Sequence, residues 1–169
     1  TGSPNLPLVG AWDSTPGDSR DVFIAKFSAD LDSLLACTYL GGSGVEGDWP
    51  VIDLVVGAND DVYITGKTSS ADYPVTAGCF QASSAGGIDI FVSRLSNDLS
   101  TLVASTYLGG SDEDKATALA VADDGSVFVA GWILSLDFPY TSGCYDSTAA
   151  GDYDMFVSRL DPTLSTLLA

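Results

Sequence analysis

Apolar residues in this chain fall into short runs of alternating or near-continuous character, and no stretch has the 3.6-residue spacing of an amphipathic helix. Between residues 89 and 132, four segments read as strands: DIFVSRL (89–95), TLVASTYL (101–108), ATALAVA (116–122) and SVFVAGW (126–132). β-Branched and aromatic residues dominate the first and the fourth, as suits a pleated surface. The joints are short. SNDLS (96–100) closes one hairpin, and DDG (123–125) closes another, because Asp-Gly tolerates the positive φ of a tight turn. AND (58–60) occupies the corresponding joint upstream, with Asn59 expected in the left-handed conformation. Four strands with short turns predict an antiparallel meander, followed by about 20 residues rich in Gly, Ser, Thr and Pro that lead onward.

The pattern is repeated. Shifting the chain on itself by 68 residues lays DVFIAKFSADLDSLLACTYLGGS (21–43) over DIFVSRLSNDLSTLVASTYLGGS (89–111) without a gap. DMFVSRLDPTLSTLLA (154–169) starts a third copy, 65 residues on. DVYITG (61–66) matches SVFVAG (126–131), and GCFQASSAGGID (78–89) matches GCYDSTAAGDYD (143–154). The three-residue difference in length lies between Gly42 and Asp61, a loop or strand lead-in that tolerates insertion. The organisation reads as residues 1–20, the tail of one repeat; 21–88 and 89–153, two whole repeats; and 154–169, the first hairpin of another. A four-stranded meander of this length predicts an all-β fold of propeller-type blades, about two and a half of them. A closed propeller needs at least about four blades, so the chain is expected to be a segment of a longer protein or to be completed by copies of itself, head to tail.

The linked motifs D-x-F-V-x-R/K-L, STYLGGS, V-F-V-A-G, DFP and G-C-F/Y, in that order, resemble the seven-bladed β-propeller (SBBP) repeats of secreted bacterial and archaeal proteins. The resemblance extends over both whole repeats and both partial ones. It implies an extracellular or cell-surface structural and interaction module with no catalytic residues.

Composition narrows the partners. Asp and Glu number 23 against 6 Lys and Arg, a formal charge of −17, which disfavours nucleic acid and anionic membrane surfaces. No apolar run of about 18 residues is present to span a bilayer. The chain has no His, no G-x-S-x-G elbow and no phosphate-cradling glycine loop, so an enzyme is not expected. The adjacent carboxylates Asp123 and Asp124 are accounted for by their turn.

Residues present in every repeat are expected to solve a packing problem common to all. Asp21, Asp89 and Asp154 open the first strand, with Lys26, Arg94 and Arg159 five residues later; these columns read as ties to an adjacent blade or loop, or as charges lining a channel. Tyr39, Tyr107, Leu40 and Leu108 read as core between blades, and the glycine pair after them as a bulge or sharp exit. Tyr73, Phe138, Phe80, Tyr145 and Trp12 are expected to anchor the long loops, or to offer an aromatic platform to carbohydrate. Acidic stretches at 44–49, 110–115 and 151–154 offer oxygen ligands of the kind that hold Ca²⁺, but no EF-hand spacing supports a site; no cofactor is required, and Asp112, Glu113 and Asp114 are the first candidates to test for a structural Ca²⁺. Among the three cysteines, Cys37 with Cys79 is the one pairing that falls within a repeat, leaving Cys144 over.

Overall fold

The structure is a computed structural model that describes residues 1–47 and 52–169. Among these residues there is no helix, and nine strands are formed: β1 (Val22–Phe27), β2 (Leu34–Leu40), β3 (Ile52–Val56), β4 (Val62–Thr68), β5 (Asp89–Leu95), β6 (Leu102–Leu108), β7 (Asp114–Val121), β8 (Val127–Ile133) and β9 (Asp154–Leu160). They make three open antiparallel sheets, ordered β1-β2, β3-β4-β5-β6 and β7-β8-β9.

The sheets are out of phase with the sequence repeats. A repeat counted from Asp21 was expected to form one sheet from its own four strands, but β2 and β3 do not pair. The break between sheets falls in the middle of the repeat, and the long loop 69–88 returns within one sheet. This lets β4 pair with β5 along its whole length, from Val62↔Leu95 to Thr68↔Asp89. A repeat fixes the period of an array and not its phase, and a 20-residue loop is long enough either to cross to a new sheet or to double back. The loop also covers an edge. Thr76 N–H donates to Ser105 O and Tyr107 N–H donates to Gln81 O, so the outer strand β6 does not present bare backbone to solvent.

The hairpin turns follow side-chain chemistry. Gly125 takes φ 81° in the β7–β8 turn, as Asp-Gly requires. In the β3–β4 turn the left-handed residue is Asp60 (φ 63°), one position later than the Asn59 expected from sequence. The Asn59 side chain instead brackets the turn, donating to Asp61 Oδ2 at 2.7 Å and accepting from Asp61 N–H. The β1–β2, β5–β6 and post-β9 turns each put a leucine in the left-handed region: Leu31, Leu99 and Leu164. That conformation costs a β-carbon-bearing residue roughly 1–2 kcal/mol. Leu99 and Leu164 offset it by plugging into the core between their own sheet and the one before it.

Two apolar layers hold the three sheets together. Val22, Ile24, Ala36 and Leu40 of the first sheet meet Phe91, Leu95, Leu99 and Tyr107 of the second. The opposite face of the second sheet, through Ile90, Val92, Ala104 and Leu108, meets Val127, Val129, Phe156, Leu160 and Leu164 of the third. Strand β7 lies against β3 and β4 of the neighbouring sheet, and Leu119 N–H donates to Asp53 Oδ2 at 2.7 Å across that contact. Tyr39 and Tyr107 are core residues, and each hydroxyl is satisfied by a backbone carbonyl, Ser3 O and Ser70 O, at 2.8 Å.

Repeat-equivalent positions should therefore differ sharply in what truncation costs. Ile90→Ala removes side-chain volume from a filled layer and should destabilise the chain by about 2–5 kcal/mol. Met155→Ala, at the same repeat position but exposed, should stay within about 0.5 kcal/mol. Denaturant unfolding of dilute protein measures both, and equal effects would contradict the layer assignment.

Candidate functional site

Strands β1, β5 and β9 carry the same seven-residue pattern in three different settings. In β5 both faces are buried: Ile90, Phe91, Val92 and Leu95 are 0% exposed. In β1 only the face formed by Val22 and Ile24 is covered, while Phe23 and Phe27 stand 49% and 51% exposed. In β9 the reverse holds. Phe156 and Leu160 are buried, while Met155 and Val157 are 89% and 71% exposed. The first sheet thus bares the face that β5 turns to its predecessor, and the third sheet bares the face that β5 turns to its successor. Leu31 is exposed at the first end, where its counterparts Leu99 and Leu164 are buried.

The third sheet has a second opening. A cleft of about 400 Å³ separates β9 from the loop 136–149 and is lined by Phe138, Tyr140, Cys144, Tyr145, Met155 and Val157 among others. In the second sheet the equivalent space is filled by β6, held between β5 and its covering loop. The residues after β9 begin such a strand, with a single bridge from Leu160 to Leu167.

The charged columns act as joints. Asp21, Asp89 and Asp154 each turn Oδ2 back onto the loop before their strand, accepting from Gly17 N–H at 2.6 Å, Ala85 N–H at 3.1 Å and Ala150 N–H at 2.6 Å. Arg94 pairs with Asp61 at 2.7 Å, lies 5.5 Å over the Tyr63 ring and donates to Pro162 O on the third sheet. Lys26 makes the equivalent reach, from the first sheet to Asn97 on the second. Arg159 binds Asp124 at 2.6 Å and the Ser126 hydroxyl at 3.0 Å within its own sheet. Lys26 and Arg94 therefore tie one sheet to a hairpin turn of the next, whereas Arg159 stays within its own sheet.

The glycine pair in TYLGG has a cause that sequence did not reveal. A β-carbon on Gly109 would stand 2.0 Å from Asp89 Oδ1 and 3.1 Å from Asp114 Oδ2. One on Gly41 would stand 2.2 Å from Asp21 Oδ1 and 2.5 Å from Glu46 Oε2. The glycine is there because two carboxylates occupy the space a side chain needs. Glu46 and Asp114 are equivalent, each accepting from the second glycine, Gly42 or Gly110, and from a serine hydroxyl, Ser70 or Ser135. The signal was present in GGSGVE over GGSDED, legible once the insertion is placed between Glu46 and Ile52.

The other expected site residues are placed as follows. Asp112, Glu113 and Asp114 do not converge: Asp112 is exposed, Glu113 pairs with Lys115, and only Asp114 turns inward. Among the described residues no group of three or more Asp, Glu, His or Cys side chains gathers around one point. In the acidic stretch 44–49, Asp48 and Trp49 lie outside the described residues. Cys37, Cys79 and Cys144 are free thiols. The expected Cys37–Cys79 pair is not formed, because Cys37 lies in β2 of the first sheet and Cys79 on the loop of the second. Tyr73 and Phe138 are buried as loop anchors, with Trp12 and Phe80 partly buried against the core. Tyr145, expected to be a further anchor, is fully exposed. Trp12 and Phe80 dock by donating their N–H to Leu99 O and Leu164 O on the next sheet, and among the described residues no further sheet stands beside Tyr145.

Burial pushes both Glu46 and Asp114 above the ordinary carboxylate range, against the hydrogen bonds that lower them; Asp21 adds repulsion at Glu46. A raised folded-state value means that ionisation costs stability at neutral pH, and this cost disappears as pH falls toward the unfolded value. In metal-free buffer, Glu46→Gln should therefore melt above the wild type at pH 7, with the gap closing as pH approaches 4.5. Calorimetry across that range tests it; a gap independent of pH would refute the assignment. Asp98 shifts oppositely. Bonds from the Ser96 and Ser100 hydroxyls and Ser100 N–H hold it at about 2, so its contribution is lost as pH falls from 3.8 through that value.

Neither a family model nor a curated protein matches the chain.

Proposed function

We propose that this chain is a non-catalytic structural and surface-interaction module of an extracellular or cell-surface protein, built of successive propeller-type blades. Its two bare end faces are covered by further sheets of the same repeat, stacked head to tail and supplied by copies of the chain or by additional repeats. The observation that carries this reading is the reversal of burial at equivalent positions of β1, β5 and β9. Phe23 and Phe27 at one end, and Met155 and Val157 at the other, are the two halves of a contact that the molecule already makes twice internally. The cleft beside β9, which has the place and lining of the space filled by β6, adds a strand-shaped acceptor at the same end.

Several further features support blades over a simple stack. The side-by-side packing of β3 with β7 fits inner strands around a common axis. The motif order that resembles SBBP repeats, the acidic charge and the absence of His suit a secreted scaffold better than an enzyme or a nucleic-acid binder. A contact between unlike faces is heterologous: it propagates until the geometry closes a ring or runs on as a filament.

Unlike faces make a specific experimental signature. Sedimentation velocity should show association that grows with concentration and is abolished by Val157→Asp alone or by Phe23→Asp alone. Mixing the two variants should restore dimers and nothing larger, since one intact face of each kind remains. A wild type that stays monomeric at every concentration would overturn completion by copies of the chain, and a single variant that still dimerises would overturn the pairing of unlike faces.

A further inference from the structure

Where one sheet hands the chain to the next, the molecule places a pair of buried carboxylates, and it does so twice: Asp21 with Glu46, and Asp89 with Asp114. None of the four residues is more than 2% exposed. In each pair three of the four oxygens accept hydrogen bonds. Asp114 takes Gly110 N–H at 2.7 Å and the Ser135 hydroxyl at 2.7 Å on Oδ2, with Ser135 N–H at 3.3 Å on Oδ1. Glu46 takes Gly42 N–H at 3.1 Å on one oxygen and the Thr68 and Ser70 hydroxyls on the other. The fourth oxygen, Oδ1 of Asp21 or of Asp89, is buried and has no partner. In both pairs this orphan oxygen and an oxygen of the partner acid flank the position that a β-carbon on Gly41 or Gly109 would take.

Backbone N–H groups of Gly17, Gly42, Ala85, Gly110 and Ser135 donate to these carboxylates. Two negative charges facing one spot in the interior repel, and an uncompensated buried charge destabilises the fold. Four of the six cationic side chains are engaged elsewhere: Arg94, Lys115 and Arg159 with Asp61, Glu113 and Asp124, and Lys26 with Asn97. What is needed is positive charge accepted by oxygen alone, from carboxylate, hydroxyl and backbone carbonyl, which is the donor set of a hard divalent cation.

We propose that each pair binds one divalent cation of the Ca²⁺ class, with Oδ1 of Asp21 and Oδ1 of Asp89 as the atoms turned to it. The isolated bridges Arg20↔Val45 and Ile88↔Glu113 bring the two acid-bearing segments together at each junction. A cation there ties β1 to the lead-in of β3 at the first site and β5 to the start of β7 at the second, and the two sites are independent of how the end faces are covered.

The test is calcium titration of chelator-stripped protein, read by calorimetric stoichiometry and by melting temperature. The expected result is two equivalents per chain, with dissociation constants on the order of 10⁻⁴–10⁻³ M, and a melting temperature that climbs with calcium. Asp89→Asn should lower the stoichiometry to one, Asp21→Asn should do the same at the other site, and Asp112→Asn should leave two. The wild-type titration is decisive even if a variant fails to fold. No heat and no melting shift at millimolar calcium would overturn the proposal and assign each pair a shared proton. Stoichiometry unchanged by both core variants would overturn it in favour of diffuse capture by the acidic surface.

Discussion

A β-sheet whose two faces are both apolar cannot be stable alone, and the whole structure follows from that constraint. In β5 the alternation of the strand places Ile90 and Val92 on one face and Phe91 and Leu95 on the other, and all four are removed from water. A single sheet with such a strand needs a neighbour on each side. The hairpin turns, covering loops and charged columns serve that requirement. Leu99 and Leu164 push turn residues into the layer, Arg94 and Lys26 reach across it, and Tyr107 locks the loop over it. The same requirement is unmet at the first and third sheets, where Phe23 and Phe27 at one end and Met155 and Val157 at the other stand exposed.

The junctions between sheets carry the polar counterpart of this apolar logic. The chain leaves β6 through two glycines, because Asp89 and Asp114 fill the room a side chain would take. The second glycine presents its N–H to the acid, and the acid is held by a serine from the end of the following β-hairpin. Packing alone would allow neighbouring sheets to slide against each other. A pair of carboxylates with a fixed set of donors gives the junction one geometry, and buried polar groups of this kind are better understood as setting register than as adding stability.

Much of this was legible in the sequence, and the gaps have physical causes. Strand type, strand order and the near-identity of repeats follow from period-2 patterning and turn residues, and the structure is all-β with antiparallel sheets accordingly. Tyr39 and Tyr107 could be identified as core, and Tyr73 and Phe138 as loop anchors, because each recurs in a fixed column. The phase of the sheets was not legible, since translation along a repeat leaves the pattern unchanged. The cluster Asp112, Glu113, Asp114 looked like one site because the residues are adjacent, yet Asp112 is exposed, Glu113 turns to Lys115 and only Asp114, the first residue of β7, is buried. The residue that mattered, Asp114, finds its partner 25 positions earlier at Asp89, a distance that composition cannot signal.

The central claim is that the two ends repeat the interior contact. Electron microscopy of concentrated protein tests it most directly. The account predicts head-to-tail particles in which sheets follow one another at about 10 Å without interruption where one copy meets the next. Isolated particles, or pairs related by a two-fold axis through like faces, would contradict it.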